Sequence, residues 1–165
     1  MVVKILITRP EPDASDLTIK LVSRGYKVLK SPIVDIIEHK NNLTNLDNIS
    51  AVITSSKNGI RSLARANKNR NICLYVVGQS SKEEAERIGY TNIRVGPGDA
   101  IGLCELICDK LSPLHDDLMY ISGRHQSFDI SGYLISKKFN IKKVVLYEVK
   151  AKNNFPTKII EAIKN

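Results

Sequence analysis

The sequence has no tryptophan, and aromatic residues make up only 5% of its 165 positions. With no recognition motif for base readout either, nucleic acid is disfavoured as a partner. No run approaches the roughly 18 consecutive apolar residues of a membrane span, and Met1-Val2-Val3-Lys4-Ile5 leads into a strand-like segment rather than a signal peptide. No membrane partner and a cytoplasmic location are therefore expected. Cysteine is scarce: Cys73, Cys104 and Cys108 are an odd set, suited to buried thiols in a reducing compartment rather than to a disulfide framework. Low-complexity tracts are lacking too, and 42% hydrophobic with 25% charged residues is ordinary globular usage.

Positive charge is in excess, with 25 Lys and Arg against 17 Asp and Glu, a net of +8. Residues 137–165 hold eight Lys against Glu148 and Glu161, which is +6 of that total. Such a balance steers anions, whether nucleic acid, acidic membrane or polycarboxylate, and a lysine-rich solvated surface explains it equally well.

Short apolar runs at Lys4-Ile5-Leu6-Ile7, Ala51-Val52-Ile53, Leu74-Tyr75-Val76-Val77, Leu118-Met119-Tyr120-Ile121 and Val144-Val145-Leu146-Tyr147 read as strands buried on both faces. Helix-like segments at 14–24, 57–66, 81–88, 101–111 and 126–138 lie between them, several stopping at Gly25, Gly89 or Asn140. This alternation predicts an α/β fold of βαβ units with parallel sheets. Pro32, inside the extended run 28–38, is incompatible with a central strand and marks an exposed connector after a strand ending at Ser31. The polar stretch 41–45 reads as a loop, and a second change of composition follows Tyr147. The predicted division is a discontinuous domain of 1–38 plus 147–165, with a second domain, 39–146, inserted into it.

Several motifs fail on spacing. Gly96-Pro97-Gly98-Asp99 resembles a dinucleotide loop, but Ile101 stands where the third glycine is required. A turn with Asp99 capping a helix is the better reading. Cys104 and Cys108 share an amphipathic helix with Leu103, Leu106, Ile107 and Leu111, which predicts core thiols and no metal site. His39, His115 and His125 accompany no nucleophile elbow, which argues against a hydrolase.

What recurs is a polar cluster where a strand opens onto a helix: Thr8-Arg9-Pro10, Thr54-Ser55-Ser56, Gly78-Gln79-Ser80-Ser81 and Ser122-Gly123-Arg124. In a parallel sheet these fall at carboxyl ends of strands, where ligands of open α/β folds bind and helix N–H groups favour anions. Capping is the competing explanation, since Ser80 with Glu83 and Ser81 with Glu84 both fit a capping box.

In order, Ile7-Thr8-Arg9-Pro10, Ser31-Pro32-Ile33-Val34-Asp35-Ile36, Ile53-Thr54-Ser55-Ser56-Lys57-Asn58-Gly59, Tyr75-Val76-Val77-Gly78-Gln79-Ser80-Ser81, Ile121-Ser122-Gly123-Arg124 and Val144-Val145-Leu146-Tyr147-Glu148 resemble the bacterial uroporphyrinogen-III synthase family. The resemblance covers residues 4 to about 150. It implies two flavodoxin-like α/β domains joined by two extended connectors, here about 32–39 and 146–152. The family's first domain continues for several βα units beyond the second connector. Since the sequence ends at Asn165, the first domain is expected to be incomplete in this chain, as if C-terminally truncated.

The activity so implied is a cyclising hydro-lyase of porphyrin and heme biosynthesis, acting as a monomer without cofactor on a linear tetrapyrrole polycarboxylate, hydroxymethylbilane. Loss of its terminal hydroxyl leaves an azafulvenium-type cation, and the last ring attacks through its substituted carbon. The resulting spiro intermediate fragments and recloses with ring D inverted. Confining so flexible a polyanion is where preorganisation contributes, up to about 7–11 kcal/mol. Neutral donors suit the task, and Arg9 and Arg124 are natural carboxylate partners beside them, which makes Thr8, Arg9, Thr54, Ser55, Ser56, Gly78, Ser80, Ser81, Ser122, Gly123 and Arg124 the candidate substrate-binding set. The family's connector tyrosine falls on Tyr147, a candidate proton donor to the departing hydroxyl, although packing at the domain junction is an equal alternative role. A non-catalytic module that binds anions or tetrapyrrole, left by truncation, is the other reading of the chain.

Overall fold

Apolar runs bounded by Gly, Ser and Asn become strands, and the segments of helical period between them become helices. The structure, a computed structural model, describes residues 3–40, 43, 46–153 and 156–164. Its elements are β1 (Lys4–Ile7), α1 (Asp13–Val22), β2 (Lys27–Lys30), β3 (Val34–Glu38), β4 (Ala51–Thr54), α2 (Lys57–Ala66), β5 (Leu74–Val76) and α3 (Gln79–Ile88). They continue with β6 (Ile93–Val95), α4 (Ala100–Lys110), β7 (Leu118–Gly123), α5 (Ile130–Ser136), β8 (Ile141–Ala151) and α6 (Thr157–Lys164). Most of the loop expected at 41–45 lies outside the described residues, as do residues 154 and 155.

Two compact units emerge, one of Met1–Ile37 with Val149–Asn165 and one of Glu38–Glu148. In the first, β1 and β2 pair in parallel around α1, Lys4 opposite Lys27 through Ile7 opposite Lys30. In the second, β7 pairs in parallel with both β8 and β4, β4 with β5, and β5 with β6. Strand alternation sends Val52, Leu74, Val76, Met119 and Ile121 to one core with Ile60 and Leu63 of α2. Ala51, Ile53, Tyr75, Leu118 and Tyr120 go to another with Leu103 and Ile107 of α4 and Leu134 of α5. Each face of the sheet is thereby covered by helices.

The strand order of this sheet is β3-β8-β7-β4-β5-β6. Counted in chain order from β4, its five parallel strands run 3-2-1-4-5, so the winding reverses between β4 and β7.

Several expectations change. The helix expected over 126–138 is α5 alone, because Asp129 caps it by accepting from the Gly132 N–H at 3.1 Å, and Lys138, with φ +70°, turns the chain before Asn140. β6 was not legible as a strand, being three residues with Arg94 in the middle. The connectors are not bare: extended backbone needs partners for its N–H and C=O groups, so 34–38 forms β3 beside β8 in the sheet and the His39 N–H donates to the Leu146 carbonyl at 2.8 Å. β8 in turn runs unbroken through 141–151.

Candidate active site

Every strand of the Glu38–Glu148 unit described as paired above runs in one direction, so the carboxyl ends of β4, β5, β6 and β7 share one edge. Open α/β sheets bind ligands at that edge where the winding reverses, here between β4 and β7. A cavity of about 470 Å³ lies there, and Ser55, Ser56, Gly123 and Tyr147 of the expected residues line it.

Each is placed by its element. Ser56 is the N-cap of α2, and its Oγ accepts from the Gly59 N–H at 3.0 Å. The Ser56 hydroxyl also lies 2.8 Å from the Tyr147 phenol oxygen. One strand register inward, the Ser55 hydroxyl is 3.1 Å from that of Tyr120. Tyr147 is aimed by a β-bulge: Ser122 pairs with Val145, but Gly123 pairs with Tyr147, so β8 gains a residue there and Tyr147 rather than Leu146 faces Gly123. Gly123 has to be glycine, because a Cβ there would stand 2.8 Å from Cε2 and Cζ of the Tyr147 ring.

Other expected residues do not join the cavity. Thr54 is fully buried, its hydroxyl donating to the Ser56 carbonyl at 3.3 Å. Ser122 is buried as well, and its Oγ has no hydrogen-bond partner among the described residues. Arg124 sits at the mouth of a neighbouring depression, where its Nε donates to the Glu148 carboxylate at 2.8 Å. Gly78 is the N-cap of α3, which starts at Gln79; Ser80 and Ser81 thus lie inside its first turn, and the expected capping boxes do not form. Glu84 instead accepts from Arg61 at 2.7 Å and Arg87 at 2.6 Å, tying α2 to α3. Thr8 and Arg9 follow β1 in the other unit, where the Thr8 carbonyl accepts from the Ile33 N–H at 3.1 Å and the Arg9 side chain is exposed.

Sequence reasoning missed Tyr120, and also His125, Gln126, Ser127 and Phe128 in the loop after β7, all of which line the cavity. Tyr120 was hidden in an apolar strand, and only alternation with Leu118 puts its ring in the α4–α5 core with its hydroxyl at the sheet edge. Burial pushes its pKa up against the lowering effect of Ser55, so it is a neutral phenol at ordinary pH. Among the described residues no three His, Cys, Asp or Glu side chains gather to hold a metal. Chemically, the site offers neutral hydroxyl donors of the kind that hold carboxylates and lend protons.

A family model described as uroporphyrinogen-III synthase HemD matches residues 15–165. The chain belongs to the uroporphyrinogen-III synthase family. Among solved structures it is similar to the uroporphyrinogen-III synthetase of Helicobacter pylori, with a TM-score of 0.64 and 18% identity over 98% of this chain and 68% of that one. A mutant uroporphyrinogen III synthase from the extremely thermophilic bacterium Thermus thermophilus matches with a TM-score of 0.58 and 11% identity, over 92% of this chain and 64% of that one. At such identities the likeness is one of fold, and the chain spans about two thirds of the length of either protein. No curated protein sequence matches it. Family membership ties the chain to porphyrin and heme biosynthesis, and no helix among the described residues is long and apolar enough to cross a membrane.

Proposed function

We propose that this chain is a uroporphyrinogen-III synthase, which cyclises hydroxymethylbilane with loss of water and inversion of ring D. The observation that carries the reading is Tyr147, whose phenol oxygen lies in a cavity at the winding reversal of the sheet, 2.8 Å from the Ser56 hydroxyl. Tyr147 is the catalytic residue in this proposal, giving a proton or hydrogen bond to the departing hydroxyl. The pyrroles supply the electrons for every bond made, so water is the only leaving group and no redox cofactor is needed. Ser55, Ser56 and Gly123, which line the cavity, are the substrate ligands of this proposal; Thr54, Gly78, Ser80, Ser81, Ser122 and Arg124, outside its lining, belong to the wider candidate set at or just after the carboxyl ends of β4, β5 and β7. Thr8 and Arg9 are candidate carboxylate ligands of the other unit. Monomeric, cytoplasmic operation is part of the same proposal.

The test is to supply freshly made hydroxymethylbilane, oxidise the products and resolve type I from type III porphyrin. Type III in excess of the enzyme-free blank is expected, and Tyr147→Phe should lower its rate by about 10²-fold, the lower end of what a general acid contributes. Type I product alone would leave the family standing and point to a binding module without turnover.

A further inference from the structure

Two consecutive serines meet two tyrosines from different strands. Tyr120 of β7 pairs with Ile53 of β4, so its ring shares a face with Ser55, two residues further along, and its oxygen ends 3.1 Å from the Ser55 hydroxyl. Ser56, the next residue, is 2.8 Å from the Tyr147 phenol on β8. All four residues line the same cavity, although Tyr120 is only 1% exposed. The function proposed above employs the Tyr147 phenol and leaves that of Tyr120 without a role.

Serine and tyrosine hydroxyls each carry one proton and two lone pairs. Whichever of Ser55 and Tyr120 donates to the other, one proton is shared and one is left over, and neither hydroxyl has another partner among the described residues. No Lys or Arg is among the residues that line the cavity, and the Asp99 carboxylate there accepts from the Gly102 N–H at 2.8 Å. An acceptor entering the cavity thus meets neutral hydroxyls beside the amino end of α2, which attracts negative charge. On the synthase reading the substrate has few acceptors. Its pyrrole N–H groups donate, which leaves the terminal hydroxyl and the carboxylates, and the hydroxyl is assigned to Tyr147.

We infer that Tyr120 is a further substrate ligand: with Ser55 it forms a second donor site, which holds a carboxylate of the substrate while Tyr147 serves the departing hydroxyl. The inference rests on the synthase reading for the identity of its ligand. Either hydroxyl of the pair alone still has a proton to give, so only the loss of both empties the site of donors. A bond that merely braced β4 against β7 would behave in the opposite way, being lost in full with the first substitution.

Equilibrium dialysis against uroporphyrinogen III, kept reduced under nitrogen, reads this site without turnover, since carboxylates are the only acceptors on that macrocycle. Ser55→Ala and Tyr120→Phe are each expected to weaken binding by no more than about threefold, and the double variant by at least about tenfold, as for a hydrogen bond to a charged group. In thermal unfolding the order reverses: either single substitution breaks the mutual bond, and the second adds little. Coproporphyrinogen III, in which methyl groups replace the acetates, identifies the carboxylate. An equal loss in the double variant assigns a propionate, and no loss assigns an acetate. A second readout holds even where the double variant does not fold. With tyrosine labelled at Cζ, the NMR resonance that disappears in Tyr120→Phe should shift when uroporphyrinogen III is added to the unsubstituted protein. The inference is overturned by a double variant that binds within about threefold of the unsubstituted protein, by a single variant that already shows the full loss, by an unshifted Tyr120 resonance, or by no binding at all. Type III product from a protein whose double variant keeps its affinity leaves the synthase reading standing without this site. Lost affinity in the double variant with no type III product upholds the carboxylate site and removes the synthase reading instead.

Discussion

The two compact units treat their apolar side chains differently. The Glu38–Glu148 unit covers both faces of its sheet, and Ile53, Ile60, Leu63, Leu103, Ile107, Leu118 and Leu134 are all buried to 1% exposure or less. In the unit of 1–37 and 149–165, Ile7, Ala14 and Ile159 are buried, but Ile19 of α1 is 69% exposed and Val22 54%. A two-stranded sheet in a unit whose helices are α1 and α6 cannot enclose much, and two-stranded sheets are marginal alone in water. Local pattern thus makes a strand or a helix, but only a third layer makes a core.

This contrast can be broken most forcefully from the inserted unit. Leu103→Ala empties a fully buried site between α4 and the sheet and is expected to cost about 2–5 kcal/mol in urea denaturation. A loss below about 1 kcal/mol would mean that this core is looser than its burial implies.

Arg61→Met tests the polar tie between α2 and α3. It removes one cation from Glu84, a carboxylate only 4% exposed, and should cost about 3 kcal/mol. Burial raises the pKa of Glu84, but hydrogen bonds and charge from Arg61 and Arg87 outweigh it and hold the carboxyl below its ordinary 4.5. A depressed folded-state pKa contributes stability above the unfolded value, and that stability is lost as the pH falls through the folded one. The stability advantage of the native protein over Glu84→Gln should accordingly be full at pH 7 and shrink below about pH 4.5; an advantage independent of pH would exclude the ionised pair.

Hydrogen exchange compares the units directly. Amides of β1 and β2 should exchange at least about tenfold faster than those of β4 and β7, equivalent to about 1.4 kcal/mol of opening free energy. Equal protection would show that the small unit is as cooperative as the large one. The smallest effect is expected at Ile19→Ala, within about 0.5 kcal/mol, because that side chain is already in water.

Much of this was readable in advance. Gly89, at φ +104°, ends α3 where it was expected to, and Asp99 caps α4 by accepting from the Gly102 N–H at 2.8 Å. Those are local matters, settled by residues three or four apart. The serines of α3 were misread as caps because capping depends on where the chain enters the helix, and Gly78 rather than Ser80 takes that place. Tyr120 was overlooked because nothing in Leu118-Met119-Tyr120-Ile121 says which end of its side chain reaches a cavity.

What the sequence by itself determined, then, is the alternation of strands and helices, the parallel arrangement, the family and the candidate tyrosine. These follow from period, from turn residues and from short motifs, all carried by neighbours along the chain. Strand order, the bulge that turns Tyr147 toward Gly123, and the meeting of Ser56 with a phenol 91 residues away were decided only in three dimensions. Hydrogen bonds between strands depend on which strands become neighbours, and that is set by how the whole sheet buries its two faces at once.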